Sequence, residues 1–383
     1  MIPSPGAFAA GLVIFFVVVW DAFEAVILPR RVTRRFRLTR LYFRATWRLW
    51  RSAVSLIPSP KSRETLLGIY GPISLPMLLA VWAAGLVLSF ALLHFGAGSS
   101  VDVVGIQPGF AVDLYLSGTT FFTLGIGDVV PHSPLARALT VLESGVGFGF
   151  LAIIISYLPV IYQSFSRREV NISMLDARGG SPPTAGELLR RHSFPDGLEA
   201  LHELLEDWER WCAELMESHL SYPVLAYFRS QHNNQSWISS LAVILDTCAL
   251  LRTGIEGACE RQAELTFAIA RHAVVDLAQV FGTPPTALPE ERLSPATLAR
   301  IRETLAQHGM KLRDGDEANA RLTELRRMYE PYVYALANHL SLPLPPWIPE
   351  HKSRDNWQTT AWAQTAGVLE REEAAAILDD HFD

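Results

Sequence analysis

Cysteine is scarce. Cys212, Cys248 and Cys259 are the only three in 383 residues, and neither their number nor their spacing suits a disulfide framework or a zinc site. Basic charge is missing where it would be most informative: no Lys or Arg occurs between Glu64 and Arg137, and none precedes the first apolar run. That run is followed by no small-x-small cleavage site, which argues against a secretory signal peptide and predicts a retained anchor. No G-x-G-x-x-G follows a strand pattern, and no Walker loop, EF-hand loop or strand-rich nucleotide roll appears, so the common nucleotide and calcium modules are excluded. A recognisable set of nucleophile, base and oxyanion donors is lacking too, which predicts a protein that is not an enzyme and needs no cofactor.

What is present is apolar. Mean hydropathy is +0.18, high for a soluble chain. Three runs approach or exceed the length needed to cross a bilayer core of about 30 Å. The first extends from Gly6 to Trp20 and continues through Asp21 and Glu24 to Leu28; the second covers Ile73 to Phe95; the third covers Ala138 to Phe165, interrupted by Glu143. Residues 1–168 carry 14 Lys/Arg against 7 Asp/Glu, and the remainder 19 against 32. A basic membrane half is thus joined to an acidic half that is no partner for nucleic acid.

The basic residues also set orientation. Arg30 to Arg63 holds eleven Lys/Arg and no acid, and Arg167 and Arg168 close the third run. By the positive-inside rule the first loop and the C-terminal half are cytoplasmic, whereas the N-terminus and the segment from Gly96 to Arg137 lie outside a plasma (inner) membrane. Arg31, Arg34, Arg37, Arg40, Arg44, Arg48 and Arg51 recur every three or four residues among Leu41, Tyr42, Trp47, Leu49 and Trp50. This spacing is similar to that of a voltage-sensing helix, but Pro29, the additional Arg30 and Arg35, and the lack of shielding helices favour an interfacial amphipathic helix. Such a helix is drawn to anionic lipid headgroups. Asp21 and Glu24 are placed to meet Arg30 or Arg31.

Between the second and third runs stands "TTFFTLGIGDVVP", Thr119 to Pro131. The segment facing outside is too short to cross and return as two helices. Its natural geometry is a half-crossing helix, Phe110 to Phe122, with an extended return from Thr123 to Asp128. Non-helical backbone at membrane depth persists only where it lines water or is enclosed in protein. Gly125 and Gly127 open backbone angles closed to residues with a Cβ, so successive carbonyls can point one way. Several copies around an axis then offer rings of oxygens that replace a cation's hydration shell.

Thr123-Leu124-Gly125-Ile126-Gly127-Asp128 resembles the potassium-channel signature T-x-G-[YFLI]-G-D, and the preceding span, Pro131 and the following glycine-bearing span resemble the two-helix pore-loop module. The resemblance covers roughly Ile73 to Phe165. It implies a passive potassium channel assembled as a homotetramer, with potassium the permeant ion. Thr123, Leu124, Gly125, Ile126 and Gly127 would form the selectivity filter, the Thr123 hydroxyl would be the innermost ligand, and Asp128 would sit at the pore mouth. Ile126 stands where most of the family has tyrosine or phenylalanine, so a ring hydrogen bond is lost. Phe122 replaces a common threonine, and Tyr115 and Leu116 stand where tryptophans are frequent. A weakly selective cation channel and a non-conducting membrane-anchored sensor or assembly protein are the alternatives.

The third run would line the inner pore. Counting from Gly127, the family's gating hinge corresponds to Gly147, flanked by Gly145 and Gly149; packing against neighbouring helices is the other reading of these glycines. Pro159 adds a kink near a cytoplasmic gate. Glu143, an acid inside a span, either hydrogen-bonds behind the filter to Thr119 or Thr120, or stays neutral as a pH-sensitive element.

After Arg168 apolar residues recur at three- and four-residue steps, as in Leu198, Leu201, Leu204, Leu205, Trp208 and Trp211. Thr184 with Glu187 predicts a capping box, and "GTPP" and "LPLPPWIPE" predict breaks. His219, Arg229, Gln231, His232, Asn233, Asn234 and Gln235 either line a pocket for a cytosolic ligand or satisfy one another at a helix junction, the commoner arrangement. His202 with Glu206, and Glu256 with Glu260, share helix faces without completing a metal site. The expected fold is an all-α membrane protein. It comprises an N-terminal span and basic helix (1–64), a pore domain with two spans, re-entrant helix and filter (65–168), and a helical cytoplasmic domain (169–383).

Overall fold

The computed structural model describes residues 3–26, 28, 37–99, 101–103, 107, 109–231, 235–255 and 259–349. These are overwhelmingly helical, and the chain divides into two units, Met1–Gln163 and Ser164–Asp383. Arg30, Arg31, Arg34, Arg35, His232 to Asn234, Glu256 and the acidic tail fall outside the described residues.

In the first unit α1 (Pro5–Val26) is apolar throughout its first four turns and packs along α3 (Pro60–Gly96). Phe90 and Leu93 of α3 form a small core with Leu139, against which Phe8, Phe15 and Val146 pack. The inner end of α1 is polar but enclosed. Asp21 accepts from the Thr39 amide (3.1 Å), the Thr39 hydroxyl (2.6 Å) and the Trp82 indole (2.9 Å), while Glu24 accepts from the Trp20 indole (2.7 Å) and lies 3.5 Å from Arg37 Nε. Neutral donors thus bond Asp21, while Arg30 and Arg31, expected from sequence to meet Asp21 or Glu24, lie outside the described residues.

The amphipathic α2 (Leu38–Ser55) lays its aromatic face on α3. Tyr42 donates to the Ser74 carbonyl (2.9 Å), Trp50 donates to the Leu66 carbonyl (3.0 Å), and Trp47 packs on the Tyr70 ring. Arg44, Arg48 and Leu49 remain exposed on its other side. Ser59 caps α3 by accepting from the Ser62 amide, with Pro60 in the first turn, where no N–H is required.

A two-stranded antiparallel ribbon, β1 (Val101–Val103) and β2 (Val129–Pro131), brackets α4 (Phe110–Phe121), with Val101 opposite Pro131. Then α5 runs unbroken from Pro134 to Gly179 with Pro159 inside it. It extends well beyond the 138–165 run of the hydropathy pattern, and its last four turns belong to the second unit.

The second unit is built on α6 (Ala185–Arg191), α7 (Gly197–Ser221), a 3-10 turn (Pro223–Tyr227), α8 (Trp237–Gly254), α9 (Glu260–Phe281), α10 (Pro295–Gln307), α11 (Asp316–Arg327) and α12 (Glu330–Leu340). By length and composition α8 could cross a membrane, as α1, α3 and α5 could. Its apolar window is 83% buried among the other helices, however, against 17% for α1 and α5. Such an all-round apolar helix belongs to a core. A carboxylate enters that core: Asp246 accepts from Tyr329 (2.6 Å) and Arg292 (2.6 Å), and Arg292 reaches Glu330 at 3.3 Å. Thr184 caps α6 by accepting from the Glu187 amide, yet Glu187 turns to Arg190 and Arg191 instead of closing the box.

Candidate functional site

The return from α4 is where the backbone leaves regular structure. Phe122 ends the helix, and the Thr119 carbonyl accepts from the amides of Leu124 (2.8 Å) and Gly125 (3.3 Å). Thr123, Gly125 and Gly127 then take positive φ values of 59°, 54° and 82°. Left-handed angles at every second residue reverse the usual alternation of peptide planes, so carbonyls from neighbouring peptides can face one side. Glycine accepts this freely; at Thr123, a β-branched residue, it is a strained conformation costing on the order of 1–3 kcal/mol. Residues 122 to 128 are all exposed, Leu124 to 65% and Ile126 to 62%, and no atom stands within 4 Å of a Cβ built on Gly125 or Gly127.

Two devices hold this strand. Tyr115, on α4, donates from its hydroxyl to Asp128 Oδ2 at 3.0 Å, and β2 immediately follows Asp128 to pair with β1. Thr119 Oγ1 is spent on its own helix, bonding the Leu116 carbonyl at 3.0 Å.

Behind α4 lies a buried polar cluster. The Ser117 hydroxyl is within hydrogen-bond reach of both the Val87 carbonyl (2.7 Å) and Glu143 Oε1. His94 Nε2 stands 3.7 Å from Glu143 Oε2, and Ser99 donates to Asp113 Oδ2 at 2.5 Å. All five side chains are almost wholly enclosed. Glu143 therefore meets Ser117 and His94, not Thr119 or Thr120. The sequence offered one cue to this: Asp113 and Ser117 are four residues apart and share a face of α4. His94 carried no cue.

Gly147 is a close-approach position. A Cβ there would lie 2.1 Å from the Phe121 carbonyl oxygen, whereas Gly145 and Gly149 have nothing within 4 Å. The helix passes through all three glycines and Pro159 without interruption.

In the second unit, Arg168 donates to the carbonyls of Leu225 (2.9 Å) and Phe228 (2.7 Å), pairs with Glu169 at 2.8 Å and lies 3.3 Å from His219 Nε2. Burial, then the Arg168 charge, push the His219 pKa well below its ordinary value. Arg229 donates to the carbonyls of Leu340 and Ser341, both at 3.0 Å, and Gln235 is buried beside α8. The polar residues of this junction thus tie chain segments together. His202 and Glu206 form an exposed pair at 3.3 Å, and among the described residues no group of His, Cys, Asp and Glu could hold a metal ion.

The geometry defines a helical membrane protein in which α3, α4 and α5 make a two-helix module around a re-entrant loop. Residues 70–163, which take in α4, the glycine strand and most of α3, match the family described as "Ion channel". The chain is also similar to an uncharacterized membrane protein, YdjJ, of Bacillus subtilis (strain 168), at 24% identity over 193 residues. That alignment takes in 50% of this chain and 55% of the relative, so the chain spans about half the length of the protein it matches. No solved structure matches.

Proposed function

We propose that this chain forms a passive potassium channel whose filter is the Thr123–Gly127 strand. The observation that carries the reading is the alternation of positive φ at Thr123, Gly125 and Gly127 in an exposed strand of sequence TLGIGD. Carbonyls of Thr123 to Ile126 facing one axis would replace the water around a dehydrated potassium ion, with Asp128 at the mouth.

One chain supplies one column of oxygens, so a ring requires further copies, and the resemblance to potassium channels makes that assembly a homotetramer. The open face of α5, with Phe148 68% and Ile155 64% exposed, is where inner-helix contacts or a pore lining would fall. By the positive-inside rule, the basic loop would set α2 on the cytoplasmic leaflet of the plasma membrane, with the N-terminus outside and the second unit cytoplasmic. There Arg37, Arg40, Arg44, Arg48 and Arg51, with Arg31 and Arg34, would meet anionic headgroups. Because α5 is continuous from Pro134 to Gly179, force on its last turns would reach the gate around Gly145, Gly147 and Pro159. A cytosolic ligand of the second unit would act through that helix, and no catalytic chemistry is assigned.

A weakly selective cation channel is the second reading. Ile126 favours it, because an aliphatic side chain cannot make the ring hydrogen bond that would fix the filter's width. The full chain in liposomes, with potassium and sodium flux measured under equal gradients, separates the readings. Potassium flux well above sodium supports the proposal, equal flux supports the second reading, and no flux leaves a membrane-anchored sensor or assembly protein.

A further inference from the structure

The cluster behind α4 has a hydrogen count that does not close if Glu143 is an anion. Ser117 Oγ carries one hydrogen. It lies within bonding distance of the Val87 carbonyl, which only accepts, and of Glu143 Oε1. Were Glu143 a carboxylate, both neighbours would be acceptors and one contact would be an unrelieved approach of two oxygens. If Glu143 carries a proton, it donates to Ser117 Oγ and Ser117 donates to Val87, and both contacts are hydrogen bonds.

The other side of the carboxyl agrees. Glu143 Oε2 has no hydrogen-bond partner, and His94 Nε2, 3.7 Å away, is beyond bonding range. Neither His94 ring nitrogen has a partner, so an imidazolium there would leave two buried N–H groups unmet. A buried ion pair with both ions under-bonded costs far more than a neutral acid beside a neutral imidazole, which leaves fewer polar atoms unmet and no charge to desolvate. The groups that could compete for the proton are His94 on α3 and Asp113 on α4, the latter taken up by Ser99 on one oxygen. At this end of α3, α1 contributes only apolar side chains such as Phe8 and Phe15. Its acids, Asp21 and Glu24, lie at the other end of α1, where Asp21 meets Trp82.

We propose that Glu143 is held as a neutral acid and acts as a positioning residue. Its proton completes the chain Glu143–Ser117–Val87 that braces α4 between α5 and α3, so conduction persists while the acid is protonated and fails as pH rises through its titration. The inference rests on the channel reading for its functional half. On deprotonation the proton leaves to water, the carboxylate stays, and Ser117 is left with one hydrogen for two acceptors. The brace then opens at the residue two positions before Thr119, whose carbonyl holds the start of the filter.

The test uses the full chain in liposomes, with infrared spectra and potassium flux recorded across a pH series. A carboxylic-acid C=O band is expected that is absent in Glu143→Gln, moves in frequency in Ser117→Ala, and disappears with rising pH together with the flux. Whatever its flux level, Glu143→Gln should no longer respond to pH over that window, and His94→Gln should retain the alkaline loss. No Glu143 band at any pH overturns the proposal. So does an alkaline loss of flux that persists in Glu143→Gln or vanishes in His94→Gln. Should the wild-type chain pass no ions at any pH, the band alone decides whether the acid is neutral, and the failure falls on the channel reading.

Discussion

The Tyr115 hydroxyl donates to Asp128 Oδ2 across 3.0 Å, linking the middle of α4 to the residue that ends the glycine strand. Thirteen residues separate the two, and the strand with its positive φ angles lies between them. The bond fixes where the strand emerges, so Tyr115→Phe, which keeps the ring and removes the donor, should reduce sustained potassium flux without changing assembly. Flux and oligomer size measured on the same preparation check this. Unchanged flux would show that the β1–β2 ribbon suffices.

Gly147 and the Phe121 carbonyl are in closer approach than a Cβ permits. Gly147→Ala should therefore force α5 away from the end of α4 and cost about 1–3 kcal/mol, read as a lower thermal midpoint. Gly145→Ala and Gly149→Ala, with open space around them, should be neutral or stabilise by up to about 1 kcal/mol through helix propensity. A pure hinge role for Gly147 would instead alter gating and leave the midpoint in place.

Arg44 and Arg48 are exposed on α2 opposite the face that packs on α3. At about 1 kcal/mol for each arginine near an anionic surface, replacing both by glutamine should weaken retention of anionic lipid by roughly thirtyfold. The difference should shrink as salt is raised. Lipid carried through purification, quantified at low and high salt, measures it.

His219 stays neutral in the folded second unit because burial and Arg168 oppose its protonation. In the unfolded chain it takes up a proton near its ordinary value of 6.5. The unfolded state then binds more protons as pH falls, so stability is present above that value and declines below it by about 1.4 kcal/mol per pH unit. His192, also depressed by burial, acts in the same direction. Thermal unfolding followed through Trp237, whose ring is 5.3 Å from His219, should show this slope, and His219→Gln should flatten it. The opposite slope would mean that His219 is charged in the fold.

Much of this architecture is legible from local pattern. Uncharged runs locate α1, α3 and the first part of α5, and Gly125 and Gly127 beside Asp128 mark a strand that a helix could not carry. Thr184 marks the start of α6 through the short-range chemistry of a cap. What is not legible depends on partners far apart in sequence. Asp21 meets Trp82, 61 residues away, and Glu143 meets Ser117 and His94 from two other helices. The core position of α8 follows from the helices that cover it, because its length and composition alone would also allow a span. The run of α5 beyond Phe165 is hidden for a related reason. Its charged turns interrupt the hydropathy signal but not the helix, since Arg168 is buried by donating to the carbonyls of Leu225 and Phe228.

The central claim is that peptide oxygens of residues 123 to 126 hold the permeant ion. Crystals of the assembled protein grown with rubidium or thallium in place of potassium test it directly through anomalous scattering. Peaks on a fourfold axis, ringed by the carbonyls of Thr123, Leu124, Gly125 and Ile126, are the expected result. An empty axis, or a return strand facing lipid or the interior of its own subunit, would contradict it.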